Sequence, residues 1–413
     1  MERLAIEGGE PVRSAPFPAR ILFGQEEKRG LLRLLEREME EGGGFDRYSG
    51  TEVDAFEKGF AAHLGQAHAT ATSSGTGAIH SALGALRLEP GSEVISSPIT
   101  DPGGVAPILW NNCIPVFADA DPETFNVDPE SVVERISDRT RAIVVAHIAG
   151  QPCDMVPIME LAEEHDLTVI EDCAQAHEAE YKGRKVGTIG HVAAFSMMSG
   201  KHFTSGGQGG MVVTDDEEVY WNAKRFADRG KPFNSEETGN LFLGLNYRMT
   251  EIEAAIGRVQ LKKLPEIVEK RRKLVVSLQE CMGDLEVVRL GKVIEEARSS
   301  YWFLLIRVDE EGLSVSKDEY AEAVAAEGVP VAARYDFLIY ETPWIRDRQT
   351  YGHSGCPWTC PLYGREVEYE GLCPGAREAI EHHMVLHLHE GFGQREIEDI
   401  ASALRKVERH YRR

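Results

Sequence analysis

Three short segments of the chain carry residue types whose spacing could support chemistry. In the first, Thr72-Ser73-Ser74-Gly75-Thr76-Gly77-Ala78, hydroxyls and glycines lead into a helical stripe of Ala78, Ile79, Ala82, Leu83 and Leu86. The first N–H groups of a helix lack intrahelical partners and carry partial positive charge, so a phosphate could sit there. Ser and Thr also cap ordinary helices. In the second, the apolar run from Leu167 enters Glu171-Asp172 and continues through Gln175 to His177. Ligands gather at the strand C-termini of open parallel sheets, although either acid could instead cap a loop. The third, Phe195-Ser196-Met197-Met198-Ser199-Gly200-Lys201-His202, sets a lysine just past a strand end among small and hydroxylic residues. The run Gly206-Gly207-Gln208-Gly209-Gly210 follows, but it precedes a strand and opens no helix, so it is not a dinucleotide fingerprint. No Walker A sequence occurs.

These segments need a sheet to hold them. From about residue 68 to 230, β-rich runs (93–95, 114–117, 142–146, 167–171, 192–196, 211–214) alternate with helical patterns (76–86, 103–110, 128–136, 157–165). This alternation predicts a mostly parallel sheet covered on both faces. Ahead of it, residues 26–41 read as an amphipathic helix, with Leu31, Leu32, Leu34, Leu35 and Met39 on its stripe, stopped by Gly42-Gly43-Gly44. Behind it, Thr250 and an acidic first turn open a helix to about Met282 that Pro265 should kink or break. A strand over 301–308, a helix over 317–327, a strand over 385–389 and a closing helix over 394–410 complete an α+β unit. The expected organisation is an N-terminal arm (1–25), a large α/β domain (26–265) and a small α+β domain (266–413).

The 413 residues include 68 acidic and 45 basic side chains, a formal charge of -23. Such a surface repels phosphate backbones and anionic lipid, which argues against nucleic-acid or membrane partners. No apolar run reaches the roughly 18 residues of a membrane span, and the start lacks the order of a signal peptide. Seven thinly spread cysteines read as reduced thiols. The expected location is the cytosol.

The blocks SSGTGAIHSALGAL, PVFADADPETFNVDPE, IEDCAQAHEAEYKGRKVGTIGHVAAFSMMSGKHFTSGGQGGMVVT and LGLNYRMTEIEAAIGRVQLKKL occur in order over roughly residues 50 to 265. In that order they resemble the DegT/DnrJ/StrS family of pyridoxal-phosphate (PLP) aminotransferases, of aspartate-aminotransferase-like fold type I. The resemblance implies that Lys201 carries PLP as an internal aldimine, that Asp172 binds the pyridine nitrogen and that Gln175 lies near the ring and its 3-hydroxyl. It further implies that Gly75, Thr76 and Ser196 hold the phosphate. Asn246, in Asn246-Tyr247-Arg248, would reach the phosphate of a neighbouring subunit's cofactor, making the site a property of a homodimer. By the same resemblance the reaction is a ping-pong transamination. Glutamate or glutamine gives the amino group, and a keto sugar, often nucleotide-linked, or a keto cyclitol takes it.

Chemistry accounts for these residue types. A Schiff base requires a primary amine, and the displaced Lys201 can move a proton between Cα and C4′. A carboxylate at the ring nitrogen favours the pyridinium, an electron sink. Some relatives carry His at the lysine position and act as dehydratases, whereas Gly200-Lys201-His202 places Lys there and favours transamination. A deoxysugar dehydratase and a non-catalytic PLP-binding regulator are the alternative readings.

Two departures from the family pattern stand out. Ser97-Pro98-Ile99-Thr100-Asp101-Pro102 puts Asp101 where many members stack an aromatic, and no Pro-x-His lies near Arg334-Tyr335-Asp336-Phe337. The Cys373-Pro374 block and the length lean towards the cyclitol branch. Elsewhere, His387 and His389 would share a strand face, and Cys356, Cys360, Cys373 and His353 could be drawn together. Neither set completes a metal pattern, and no metal is expected. Arg271-Arg272-Lys273 reads as a solvated, salt-bridged face. Trp221, Arg225, Arg229 and Lys231 read either as the site's mouth or as packing.

Overall fold

The computed structural model describes residues 2–48, 50–335 and 338–413. The expected alternation builds a seven-stranded sheet from β1 (His68–Thr72), β2 (Glu93–Ser96), β3 (Ile114–Phe117), β4 (Thr140–Ala146), β5 (Thr168–Asp172), β6 (Val192–Ser196) and β7 (Gly210–Thr214). Their order is β1-β7-β6-β5-β4-β2-β3. Only β7 runs against its neighbours β1 and β6, and the other pairings are parallel. Helices on both faces bury β2, β6 and β7 completely, so these strands read as continuous runs without alternation. Because β2, β4, β5 and β6 are parallel, their C-terminal ends reach one edge and deliver Ser96, Ala146, Asp172 and Ser196 to it. The glycine run has a steric role there, since a Cβ on Gly210 would lie 2.1 Å from the Ser74 carbonyl oxygen. Only glycine lets β7 lie against the loop that opens the helix Gly75–Ala85.

A second, antiparallel sheet joins β8 (Val288–Leu290), β9 (Leu304–Val308), β10 (Val331–Ala332) and β11 (His383–Leu386) in the order β8-β9-β11-β10. The helices Lys317–Ala326 and Gln394–Tyr411 contribute to its core. β11 ends at Leu386, short of the expected 389, because the chain turns where His389 Nδ1 accepts the Gly391 N–H.

Pro265 does not break the helix Glu251–Cys281, which runs 31 residues from a capping box formed by Thr250 and Glu253. The proline costs about 3 kcal/mol. Leu261, Leu264 and Val268, flanking it, lie in the core of the large sheet, while Val275 and Leu278 further on lie in the core of the small one. Each such buried side chain contributes about 1.5–3 kcal/mol, so packing outweighs the missing hydrogen bond.

The first residues also join the second core. Leu4 is fully buried there with Val12 and Phe17 packed beside it. The buried Glu327 carboxylate accepts the N–H groups of Ala5 and Val12, each at 2.9 Å, and pairs with Lys406. The helix Gln25–Glu41 forms as expected, although Leu32, Leu35 and Met39 of its stripe are exposed. Among the described residues no helix is long and apolar enough to cross a membrane. All seven cysteines are free thiols.

Candidate active site

Lys201 follows β6 and is buried, with its Nζ lying 3.6 Å from the centroid of the Trp302 ring. Among the described residues no carboxylate forms an ion pair with it. Burial pushes its ammonium down to about 8, against the pull of the Asp172 and Asp101 carboxylates. The folded value lies below the 10.5 of a solvated lysine, so the stabilising contribution is complete above 10.5 and is lost as the pH falls through about 8. In cofactor-free protein, acylation of Lys201 is therefore expected to rise with a midpoint near pH 8. Peptide-resolved labelling across a pH series measures this, and a midpoint at the solvated value would refute the burial argument.

Strand alternation separates the two acids that the sequence left open. Glu171 Oε2 accepts the Gly187 N–H at 2.8 Å, and its Oε1 accepts those of Ile189 and Gly190 at 2.8 and 2.6 Å. His147 adds a further bond: its Nδ1 accepts the Cys153 N–H, so its Nε2 carries the proton donated to Glu171 at 3.0 Å. Although burial opposes it, these donors hold the Glu171 carboxyl below the usual range. With Cys173 this trio is the one ligand-like cluster among the described residues, but its carboxylate is already fully engaged in fixing the 187–190 loop. Among the described residues the Asp172 carboxylate accepts only the Ala174 N–H, at 3.0 Å. Burial pushes its carboxyl upward, partly offset by that bond and by Lys201, so it lacks a full cationic partner.

The hydroxyl and glycine residues meet in a tight cradle. A Cβ on Gly75 would lie 2.6 Å from Ser196 Cβ, and one on Gly103 would lie 2.5 Å from Thr76 Oγ1. Ser74 Oγ caps the helix through the Gly77 N–H at 3.0 Å. Gly103 and Gly104 escaped the sequence reading, yet a Cβ on Gly104 would approach Asp172 Oδ2 to 3.3 Å. Asp101, the departure from the family pattern, caps the helix Pro102–Trp110 by accepting the Gly103 N–H. Gln175 Oε1 accepts the Ala149 N–H at 2.9 Å, which leaves its NH2 group for other partners.

A cavity of about 440 Å³ is lined by Arg20, Asp101, Gln175, Gly200, Trp302 and Arg334 among others. A larger groove of about 720 Å³, between residues 21–33 and the helix Glu251–Cys281, includes none of Gln175, Gly200 and Trp302, the residues that set the smaller cavity beside Lys201. Asn246 stands apart from the cavity. It is exposed and accepts the Arg248 N–H, while the neighbouring Tyr247 carbonyl accepts the Ser73 N–H at 2.7 Å.

Several weaker expectations change. Arg271 is buried rather than solvated, and donates to Glu390 and to the carbonyls of Tyr301 and Trp302. Those carbonyls precede β9 and have no strand partner, so a planar guanidinium can satisfy both. Trp221, Arg225 and Arg229 bond to Glu217, Phe233 and Asp228, consistent with packing. His387 and His389 lie past the end of β11 and line the cavity. Of the stretch searched for Pro-x-His, Asp336 and Phe337 lie outside the described residues.

A small aldehyde that also bears a phosphate and a ring nitrogen would use the amine, the cradle and the under-compensated acid together. On this sheet topology that combination defines a PLP-dependent enzyme of fold type I. Residues 35–369 match the DegT/DnrJ/EryC1/StrS aminotransferase family, and the chain belongs to it. It is accordingly a PLP-dependent aminotransferase of the group acting on sugars and cyclitols.

Over 416 aligned residues it is 32% identical to the putative L-glutamine:3-amino-2,3-dideoxy-scyllo-inosose aminotransferase of Micromonospora echinospora, covering 98% of this chain and 96% of that one. It is 36% identical over 286 residues to GDP-perosamine synthase of Caulobacter vibrioides, covering 68% and 75%. The X-ray structure of an aminotransferase from Psychrobacter cryohalolentis matches with a TM-score of 0.83 at 31% identity, covering 96% of this chain and 99% of that one.

Proposed function

We propose that the enzyme moves an amino group from glutamine or glutamate to a keto cyclitol, working in the cytosol as a homodimer. The observation that carries the acceptor is the likeness over nearly the whole chain to an inosose aminotransferase. The cavity adds support: among the described residues each of its arginines is tied to a carboxylate, Arg20 and Arg271 to Glu390 and Arg334 to Asp318. None is left uncommitted for a nucleoside diphosphate, which suits an uncharged polyol. The cofactor-holding part is drawn at 26–265, the smaller part at 266–413 and the arm at 1–25.

PLP, when bound, supplies an aldehyde for the amino group and an electron-withdrawing ring. Gly75, Thr76 and Ser196 hold its phosphate at the helix N-terminus. Asp172 sits at the ring nitrogen, where a positive partner relieves the burial of its carboxylate. The Gln175 NH2 group turns to the ring's 3-hydroxyl, because its Oε1 is taken by Ala149. Lys201 Nζ would carry a proton between the substrate Cα and C4′, two bonds apart, a role that favours an amine shifted towards neutrality. Asn246 serves the phosphate of the second subunit, in keeping with its exposure beside Leu243, itself 89% exposed.

The test is spectroscopic. Glutamine or glutamate should collapse the long-wavelength absorption of the PLP-loaded protein to the shorter band, and a keto inositol should restore it. Restoration by a nucleoside-diphosphate keto sugar alone would overturn the acceptor.

A further inference from the structure

A closed circuit of hydrogen bonds surrounds Lys201, and cofactor binding does not account for it. Arg20, far upstream on the arm, donates from Nη1 to the Lys201 carbonyl and from Nη2 to the His202 carbonyl, both at 2.6 Å. Its Nε donates to Glu390 Oε1 at 2.8 Å. Glu390 Oε2 accepts from Nε and Nη2 of Arg271 at 3.0 and 2.9 Å. Arg271 Nη1 donates to the carbonyls of Tyr301 and Trp302 at 3.0 and 3.1 Å. Trp302 closes the circuit, its indole N–H donating to the Gly200 carbonyl at 2.7 Å while its ring face meets Lys201 Nζ at 3.6 Å.

We propose that Trp302 is a positioning residue for Lys201, giving its amine a seat whenever that amine is not covalently engaged. In the same arrangement Arg20, Glu390 and Arg271 keep the seat in register with the lysine backbone. The inference rests on Lys201 being the PLP-bearing lysine.

A free lysine side chain has four rotatable bonds and would sample many positions in an open cavity. An ammonium over an indole in a desolvated site is favoured about tenfold or more, so the seat holds the protonated amine at one place. The indole N–H ties the ring to the residue just before the lysine, so seat and lysine share one frame. Arg20 suits its place because a planar guanidinium serves two carbonyls and a carboxylate at once, which an ammonium on a flexible stem does not. The arrangement matters most once the displaced lysine has taken the substrate proton, when Nζ is an ammonium that must stay within reach of the atom that receives the proton back.

The experiment uses full-length protein stripped of cofactor and then mixed with PLP. Condensation forms a C=N bond between Lys201 Nζ and the aldehyde carbon and releases water. Borohydride then delivers hydride to that bond, leaving a secondary amine that is counted on the Lys201 peptide by mass spectrometry. With mixing done well below the value of about 8, where the parent Lys201 is mostly ammonium, Trp302→Leu and Arg20→Gln are expected to speed capture about tenfold, because the unseated amine gives up its proton more readily, while turnover falls and the donor KM is unchanged. Trp302→Phe keeps an aromatic face and should stay near the parent rate, whereas Arg20→Lys should behave like Arg20→Gln. Capture by Trp302→Leu at the parent rate, or equal changes in the Leu and Phe variants, would overturn the seat. If Trp302→Leu does not fold, the Arg20 pair decides, and parental capture by Arg20→Gln overturns the proposal. An adduct absent from Lys201 in the parent protein would instead refute the lysine assignment.

Discussion

Lys201→Ala is expected to lower turnover at least about 10³-fold, the largest effect of any single change in this chain. On the roles proposed for Lys201 the variant loses both the covalent anchor and the proton carrier, and among the described residues no other lysine lines the cavity. Among the described residues the neighbouring bases are buried histidines of depressed basicity, with His177 pushed down to about 3 by burial and by Lys201 itself. Far-ultraviolet circular dichroism should be unchanged, because the Lys201 backbone contacts to Met198 and Arg20 do not involve the deleted side chain. A small primary amine added to the medium should restore part of the rate by acting as a diffusible base. Parental turnover in the alanine variant would remove Lys201 from the mechanism.

Asp172→Asn is expected to split activity from stability. If Asp172 serves the ring nitrogen as proposed, turnover should fall about 10²- to 10³-fold, because a neutral amide cannot hold positive charge there. The backbone bond survives, since the amide oxygen can still accept the Ala174 N–H. Stability of the cofactor-free protein should move the other way. The folded carboxyl of Asp172 is raised by burial, so its contribution is present below the unfolded pKa and is lost as the pH rises through the folded one. At neutral pH the parent therefore bears the cost of burying that carboxyl, which the variant lacks. Thermal unfolding of the stripped proteins should show the Asn variant at least as stable as the parent at pH 7, with the difference closing under acid. A variant both inactive and markedly less stable at pH 7 would mark Asp172 as a structural anchor instead.

Why some of this was legible in the sequence and some was not follows from contact range. The three chemical segments each end a strand or open a helix, so local pattern was enough to find them. The choice between Glu171 and Asp172 depended on which face of β5 each occupies, and that parity is decided by packing. Arg271 looked solvated because charges at helical spacing read the same whether they face water or unpaired carbonyls. Its partner Glu390 lies 119 residues away. Arg20 is still further from its contact, 181 residues before Lys201. Trp302 had no signal beyond its type. Asp101 was visible as a departure from the family pattern, whereas its role as the cap of the next helix required the fold. Pro265 misled because propensity weighs one hydrogen bond and cannot see two cores gripping the same helix.

The burial of Leu4 among residues drawn from positions 275 to 407 bears on the timing of synthesis. A ribosome adding about 5–20 residues per second needs tens of seconds to reach the far side of that core. Until then Leu4 has no core to enter, and Arg20 lacks its carboxylate partner Glu390. A nascent chain that has already extruded the lysine therefore holds it in an unfinished setting, and the reactive amine is completed by the earliest-made residues folding back last.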